Sequence, residues 1–536
     1  MPSPAAADRF DTPAGRALRE QSTSVARQHL RDQLDDPERP AALTLQVGPL
    51  IVDLSRMRGD AATVGLLAAL AAELGVTGQL DAMMRGDLVN LTEQRAALHT
   101  ALRAPEDAVI TVDGTDVMPE VRQSQEQVSD FVEAVTSGAR LTAHGGRFTD
   151  VVVIGIGGSD LGPRMVTAAT RAHHTGQVRV HFVANVDPAE LDAQISGLDA
   201  RSTMVVVISK TFTTVETLAN ARAARAWLAA TVGEDVGAHL CAVTTAVDLA
   251  QEFGVSPEAI FGFRDWVGGR FSLSSAVGIG IEFALGREGI ESMRAGMRAV
   301  DEATRDTAAQ ENAALLLGML DVWYGNFLGS TSKAVVPYSQ DLALLPAHLQ
   351  QLQMESNGKS VTADGRPVTW ATSPVVWGAP GTNGQHAFFQ LLHQGTHLIP
   401  VDLIGVRSTL GSERADLLQA NLLAQAAALA LGRSEQSLTA SGVPADLVAH
   451  KEMPGNRPST LIWLPDLSPR SVGALVALYE HATVVAGFAW GVNPFDQWGV
   501  ERGKELAADL LGAIARGEAP ADADAATTAS VRTLLG

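Results

Sequence analysis

The densest run of chemically capable side chains is Met204–Thr217, MVVVISKTFTTVET. Five apolar residues, Met204 to Ile208, are rich in β-branched types and short enough for a fully buried strand. Ser209, Lys210, Thr211, Thr213 and Thr214 follow at once, where a helix would begin. Hydroxyls, a cation and the unpaired amides of a helix start favour an anion such as a phosphate. Serine and threonine also cap helices in every fold, so capping alone is the competing reading. The G-x-x-x-x-G-K-[ST] pattern is absent, so this is not a P-loop. A second loop of this kind follows Thr149–Ile154: Gly155-Ile156-Gly157-Gly158-Ser159-Asp160-Leu161-Gly162-Pro163. Its glycines let backbone approach a ligand closely, and Ser159 adds a hydroxyl. A dinucleotide fingerprint fails, because its sixth position falls on Asp160 rather than glycine.

Positioning both loops requires a parallel sheet. Thr149–Ile154, Val178–Val183 and Met204–Ile208 read as strands separated by helical stretches, the pattern of βαβ units with crossover helices. Ligands bind such sheets at the carboxyl ends of the strands, so Ser159 and Ser209–Thr214 should share one pocket. Ahead of these strands, residues Met1 to about Leu45 read as a helical, alanine-rich arm. Ala61–Leu74 and Gln123–Ser137 are amphipathic helices. His99, in an apolar stretch, reads as a packed core residue rather than a ligand.

Composition narrows the function classes. At 536 residues the chain exceeds one core. A hydrophobic content of 46% is that of a soluble globular enzyme. A formal net charge of −20 argues against nucleic acid, which demands a basic face, but allows a local cation cluster for a small anion. With Cys241 as the single cysteine, neither an intrachain disulfide nor a multi-cysteine zinc site can form. The opening MPSPAAADRFDT lacks the apolar core of a secretory signal, and Gly65–Leu74 and Leu422–Leu431 are too short to span a bilayer. A cytoplasmic protein with no membrane partner is expected.

GIGGSDLGP and SKTFTTVET resemble strand-end loops of the glucose-6-phosphate isomerase (phosphoglucose isomerase) family, and further words agree in family order. Asp265–Arg270 is similar to its DWVGGR segment, Gln350–Lys359 to QQ-x-x-MESNGK, Gly381–Phe388 to GTNGQHAF, and Phe495–Lys504 to FDQWGVE-x-GK. The resemblance implies an α/β fold of two sugar-isomerase (SIS)-type αβα sandwich lobes with mostly parallel sheets and helical arms at both ends. It sets an N-terminal arm at 1–104, a first lobe at 105–287, a connecting helix at 288–303, a second lobe at 304–490 and a C-terminal helix and tail at 491–536.

It also implies roles. The reaction is reversible isomerisation of D-glucose 6-phosphate to D-fructose 6-phosphate through ring opening and a cis-enediol, with neither metal nor cofactor. Glu355 is the expected base between C2 and C1, and a carboxylate suits this if burial raises its pKa. Gln351, four residues earlier, shares its face on a helix and would contact substrate. Arg270, after Gly269, would stabilise charge on the enediolate. His386 would shuttle the ring-opening proton, reaching the site from the other subunit of a homodimer, with Glu216 orienting it; His393 is taken as structural. Lys504 would assist ring opening, with Gln497 beside it on a helix started by Asn493-Pro494. Ser209, Lys210, Thr211 and Thr214 would hold the phosphate, with Gly158 and Ser159 lining the pocket. Whether Lys210 offers its ammonium or its backbone N–H is open at this level. Ala379, Ser274 and Phe271 depart from common family residues without removing a catalytic group. Two alternatives stand: a non-catalytic sugar-phosphate-binding regulatory module, and an isomerase that also uses mannose 6-phosphate.

Overall fold

The computed structural model describes residues 8–536, so the start of the helical arm, residues 1–7, lies outside the described residues. The chain forms two compact units, one running through Pro494 and the other Phe495–Gly536.

The larger unit carries two main sheets. In chain order the strands are β1 (Thr44–Val47), β2 (Leu50–Asp53), the small hairpin β3 (Thr111–Val112) and β4 (Thr115–Asp116), β5 (Asp150–Ile154), β6 (Arg179–Val183), β7 (Thr203–Ile208), β8 (Leu240–Val243), β9 (Ile260–Phe261), β10 (Ser332–Pro337), β11 (Val375–Gly378), β12 (Val401–Val406) and β13 (Ser459–Leu464). One sheet has the order β6-β5-β7-β8-β9 with every pair parallel. Its central strands β5 and β7 are buried at every residue. That is why DVVVI and TMVVVI read as continuous apolar runs rather than alternating ones.

The second sheet has the order β1-β2-β13-β12-β10-β11. β10 to β13 pair in parallel, and β2 adds to β13 in the antiparallel sense. The helical reading to Leu45 therefore stops slightly early: helices cover Pro13–Ala26, Leu30–Gln33 and Glu38–Leu43, and Thr44 opens a strand. Leu50 and Val52 are buried and Ile51 and Asp53 half-buried, so β2 turns one face to the core, which the continuous apolar run Leu50-Ile51-Val52 does not reveal.

Two long helices fill the centre, Ile279–Asp306 and Pro469–Trp490. They touch backbone to backbone. A Cβ on Gly296 would come within 1.8 Å of the Arg470 carbonyl oxygen, and one on Gly473 within 2.3 Å of that of Met293. The first helix breaks at Gly286, where φ is +71°, a conformation only glycine adopts without strain. The expected boundaries at 287 and 303 both fall inside this helix. Pro469–Trp490 is the one helix among the described residues long and apolar enough to cross a membrane, and its apolar window is wholly buried inside the protein.

A buried charge cluster ties these helices to the N-terminal segment. Arg103 donates from Nε to Asp301 (2.7 Å) and from Nη1 to Glu480 (2.5 Å), while Asp301 also pairs with His481 at 2.6 Å. His99, in the 3-10 turn His99–Arg103, is 1% exposed and stacks on Phe271 at 4.7 Å, a core residue as its surroundings in the sequence indicate.

Candidate active site

β5 and β7 are neighbours paired Ile154 to Val207, so their carboxyl-end loops emerge side by side. After β7, Ser209 is buried and its N–H donates to Val243. Phe212 adopts φ +52° and packs its buried ring edge-on against Phe253 at 5.7 Å, pinning the loop while Thr211 and Thr213 on either side stay exposed. The helix Val215–Val232 follows with Thr214 at its N-cap. The Thr214 side chain caps nothing and instead accepts from Ser209 Oγ at 3.2 Å. The competing reading of these hydroxyls as helix caps thus fails for Thr214. Among the described residues, no protein oxygen accepts from the backbone N–H groups of Lys210, Thr211 or Thr213. A turn of unclaimed amides leading into an uncapped helix start is a cradle for an anion.

Lys210 is held by its backbone. Its carbonyl accepts from Thr245 N–H (3.0 Å), Thr244 Oγ1 (3.1 Å) and Thr245 Oγ1 (2.7 Å). Its ammonium turns to the Asp265 carbonyl at 3.4 Å and lies 5.9 Å from the Phe263 ring. Burial, and then the nearby Arg95, lower its pKa.

The glycine loop after β5 makes a 3-10 turn at Gly157–Ser159 and enters the helix Leu161–Ala169. Gly157 has φ +63°, and a Cβ there would sit 3.0 Å from Gln351 Nε2. A Cβ on Gly158 would lie 2.1 Å from the Gly269 carbonyl oxygen and 2.7 Å from the Arg270 nitrogen. Three chain segments distant in sequence therefore converge here. Asp160, next along, is buried and paired with Arg164 at 2.8 Å; its desolvation outweighs that pairing and raises its pKa to about 6.

Arg270 sits on the 3-10 turn Gly269–Phe271 with its side chain 2% exposed. Nε donates to Ser356 Oγ at 2.6 Å and Nη2 to the Pro494 carbonyl at 2.7 Å, while Nη1 lies 3.5 Å from Glu355 Oε2. Glu355 ends a π-helical turn, Gln350–Glu355, and keeps 22% of its side chain exposed. Gln351 is the second residue of that turn, and its Oε1 is buried without a protein partner. The widened helix is a departure from the regular helix expected for QQLQME, and π-turns concentrate at functional sites. Asn357 is fully buried, its side chain donating to the Thr483 carbonyl at 2.8 Å, so the segment is anchored in the core and not a surface turn.

Gly158, Gly269, Arg270, Gln351 and Glu355 are thus brought together, with Ser159 on the adjoining turn. Ser209, Lys210, Thr211 and Thr214 share the neighbouring strand end. Glu216 is half-buried in the first turn of the helix Val215–Val232. His386 is exposed, just past the helix Gly381–Gln385, and no hydrogen bond joins its ring to Glu355 or Glu216 within the chain. His393 Nε2 is instead 2.8 Å from Gln425 Oε1, a packing role.

The C-terminal reading needs correction. Asn493-Pro494 starts no helix, and the Asn493 Nδ2 donates to Asn90 Oδ1 (2.8 Å) and Thr92 Oγ1 (2.7 Å). The first helix of the second unit runs Glu501–Ala515 after a 3-10 turn at Trp498–Val500, and a second covers Ala525–Leu535. Gln497 precedes both and does not share a helix face with Lys504, which is exposed on the longer helix. Ser356 and the Pro494 carbonyl, the two anchors of Arg270, were not singled out in the sequence. Ser356 lies inside the MESNGK word, while a backbone carbonyl has no side-chain signature.

Paired strand-end loops of an α/β protein, one offering unclaimed amides and the other closing over an arginine and a carboxylate, suit a phosphorylated substrate on which negative charge develops. The phosphoglucose isomerase family model matches residues 53–531. The glucose-6-phosphate isomerase of Rhodococcus opacus (strain B4) is 48% identical over 97% of each chain. That of Mycolicibacterium smegmatis (strain ATCC 700084 / mc(2)155) is 47% identical over 98% of each. The crystal structure of a glucose-6-phosphate isomerase from Chlamydia trachomatis superposes with a TM-score of 0.87 at 33% identity, covering 98% of this chain and 99% of that one. The chain belongs to the phosphoglucose isomerase family.

Proposed function

We propose that this enzyme interconverts D-glucose 6-phosphate and D-fructose 6-phosphate with Glu355 as the base that moves a proton between C2 and C1. The observation that carries this reading is the Glu355–Arg270 pair at 3.5 Å, its arginine buried and its carboxylate still partly open. The guanidinium is held by Ser356 and the Pro494 carbonyl, so it is preorganised for charge that develops on the enediolate oxygens. The amides of Lys210, Thr211 and Thr213, with the Ser209, Thr211 and Thr214 hydroxyls, take the phosphate; Gly158 and Ser159 line its approach, and Gln351 contacts the sugar. His386 opens the ring from the other subunit of a homodimer, a role its exposure in the single chain suits, and Glu216 orients it. Lys504 is the group that assists ring opening, and Gln497 a substrate contact. The two sheets head the two lobes, and the enzyme works in the cytoplasm.

Conversion of glucose 6-phosphate to fructose 6-phosphate, with EDTA present, tests the assignment in wild type and Glu355→Gln. Loss of roughly three orders of magnitude or more in kcat with phosphate-ligand affinity retained is expected, since the proton carrier is removed and the anion cradle is not. Wild-type turnover retained in Glu355→Gln would overturn it.

A further inference from the structure

Below the π-turn lies a polar cluster with no access to substrate. Gln353, in the middle of Gln350–Glu355, is buried and donates from Nε2 to Asp321 Oδ2 at 2.5 Å. The other Asp321 oxygen accepts from Lys333 Nζ at 3.1 Å, and Lys333 also pairs with Asp402 at 3.1 Å. Tyr479 donates to Asp402 at 2.9 Å. These groups come from five elements: the π-turn, the helix Ala313–Val322, β10, β12 and the helix Pro469–Trp490. Asp321 itself sits just before the other π-helical turn among the described residues, Trp323–Phe327. The two widened turns are therefore braced to one another through a single carboxylate.

Gln353 lies two residues from Gln351 and two from Glu355, so on a helical turn it points away from the face those two share. A hydrogen bond fixed on that opposite face sets the rotation of the turn about its axis. Other tethers on the turn are longer: the Val376 N–H of β11 reaches Met354 Sδ at 3.4 Å, and Ser373 Oγ, ahead of that strand, reaches the Gln353 carbonyl at 3.4 Å. Charge explains why an amide stands here. One lysine against two aspartates leaves the cluster one negative charge in excess, so the carboxylates call for neutral donors besides the lysine. Gln353 supplies one to the Asp321 oxygen that Lys333 does not reach, and Tyr479 adds one to Asp402 Oδ2, the oxygen that also faces Lys333.

We propose that Gln353 is a positioning residue for Glu355, transmitting the rigidity of the buried Asp321–Lys333–Asp402 cluster to the carboxylate through the π-turn. The inference rests on the reading of Glu355 as the base. The orientation of a reacting group acts on the chemical step, whereas the phosphate cradle is built on the other sheet. The effect therefore belongs in kcat and not in KM.

The test is steady-state kinetics with fructose 6-phosphate on Gln353→Glu, Gln353→Met, Asp321→Asn combined with Gln353→Glu, and Glu355→Gln. Gln353→Glu sets carboxylate against carboxylate; kcat should fall roughly 10- to 100-fold with KM within about twofold. The double variant restores one hydrogen bond with its donor reversed and keeps the cluster charge, so kcat should return to within about fivefold of wild type. Gln353→Met keeps the length and removes the bond, giving a kcat loss of about tenfold if Gln353→Glu does not fold. A Gln353→Met kcat within twofold of wild type, or a folded double variant no better than Gln353→Glu, would overturn the positioning role. Turnover retained in Glu355→Gln would instead overturn the base assignment beneath it.

Discussion

Gly158 and Gly269 meet backbone to backbone: a Cβ on the first would stand 2.1 Å from the carbonyl oxygen of the second. No side chain can yield to relieve that contact, because the obstructing atom is main chain. Gly158→Ala must push the glycine loop away from the turn that carries Arg270. A displacement on the order of 1 Å in a reacting geometry costs about a hundredfold, so kcat/KM should drop by about that factor in the isomerisation assay. A variant within threefold of wild type would show that the two loops do not need to touch.

Arg270→Lys should be nearly as damaging as Arg270→Ala. The arginine satisfies Ser356 and the Pro494 carbonyl while holding a third nitrogen near Glu355, a fork that a single ammonium cannot reproduce. A kcat loss of roughly 10²- to 10³-fold is expected, the size typical for removing one preorganised electrostatic donor. Recovery of most activity with lysine would indicate that charge alone suffices.

Lys210→Met separates ammonium from backbone. Since Nζ is directed to the Asp265 carbonyl and three donors fix the Lys210 carbonyl, the peptide should keep its orientation without the charge. KM for the sugar phosphate should rise by no more than about threefold, below the roughly tenfold that 1.4 kcal/mol of lost ion pairing would give. A rise of a hundredfold would place the ammonium on the phosphate.

Asp160 offers a pH test. Its pKa is raised from 3.8 to about 6, chiefly by burial. Between those values the folded chain binds the proton and the unfolded chain does not, so this group adds stability as pH falls through 6 and subtracts it as pH rises. At neutral pH the penalty is at most ~3 kcal/mol. Asp160→Asn should unfold at a higher temperature than wild type near pH 7.5, and that gap should shrink towards pH 5. A gap independent of pH would contradict the burial argument.

Arg103→Met should destabilise without touching the chemistry directly. It leaves Asp301 and Glu480 buried without their shared cation, and breaking one partner of such a cluster costs ~3–5 kcal/mol. A clear fall in unfolding temperature at a fixed scan rate, with kcat per folded molecule largely kept, is the expected result. An unchanged unfolding temperature would mean that the cluster contributes nothing.

The apolar runs of β5 and β7, and the hydroxyls and glycines behind them, were legible because buried parallel strands and anion loops leave local signatures. Glu355, Arg270 and His386 were singled out through family words and not through spacing; the fold sets Arg270 3.5 Å from Glu355 and leaves His386 exposed. Three features were not legible. The hairpin β1–β2 is two four-residue strands whose partner, β13, is remote in sequence. The π-turn looks like any helix, because its extra width is imposed by what it packs against. Asn493 was read as a helix cap, since Asn-Pro is a common opening, but the chain turns at Pro494-Phe495 and the helix waits until Glu501, while the Asn493 amide ties the segment to Asn90 and Thr92.

The pairing of β2 with β13 also sets a clock. Asp53 and Leu461 are register partners, separated by about 400 residues, which a ribosome moving at 5–20 residues per second adds in roughly 20 to 80 s. Through that interval the hairpin waits with an unpaired, half-apolar edge, the kind of surface that recruits wrong neighbours. Slower elongation lengthens the exposure and a holding chaperone shortens its consequences. The yield of folded enzyme should therefore respond to translation speed and chaperone supply.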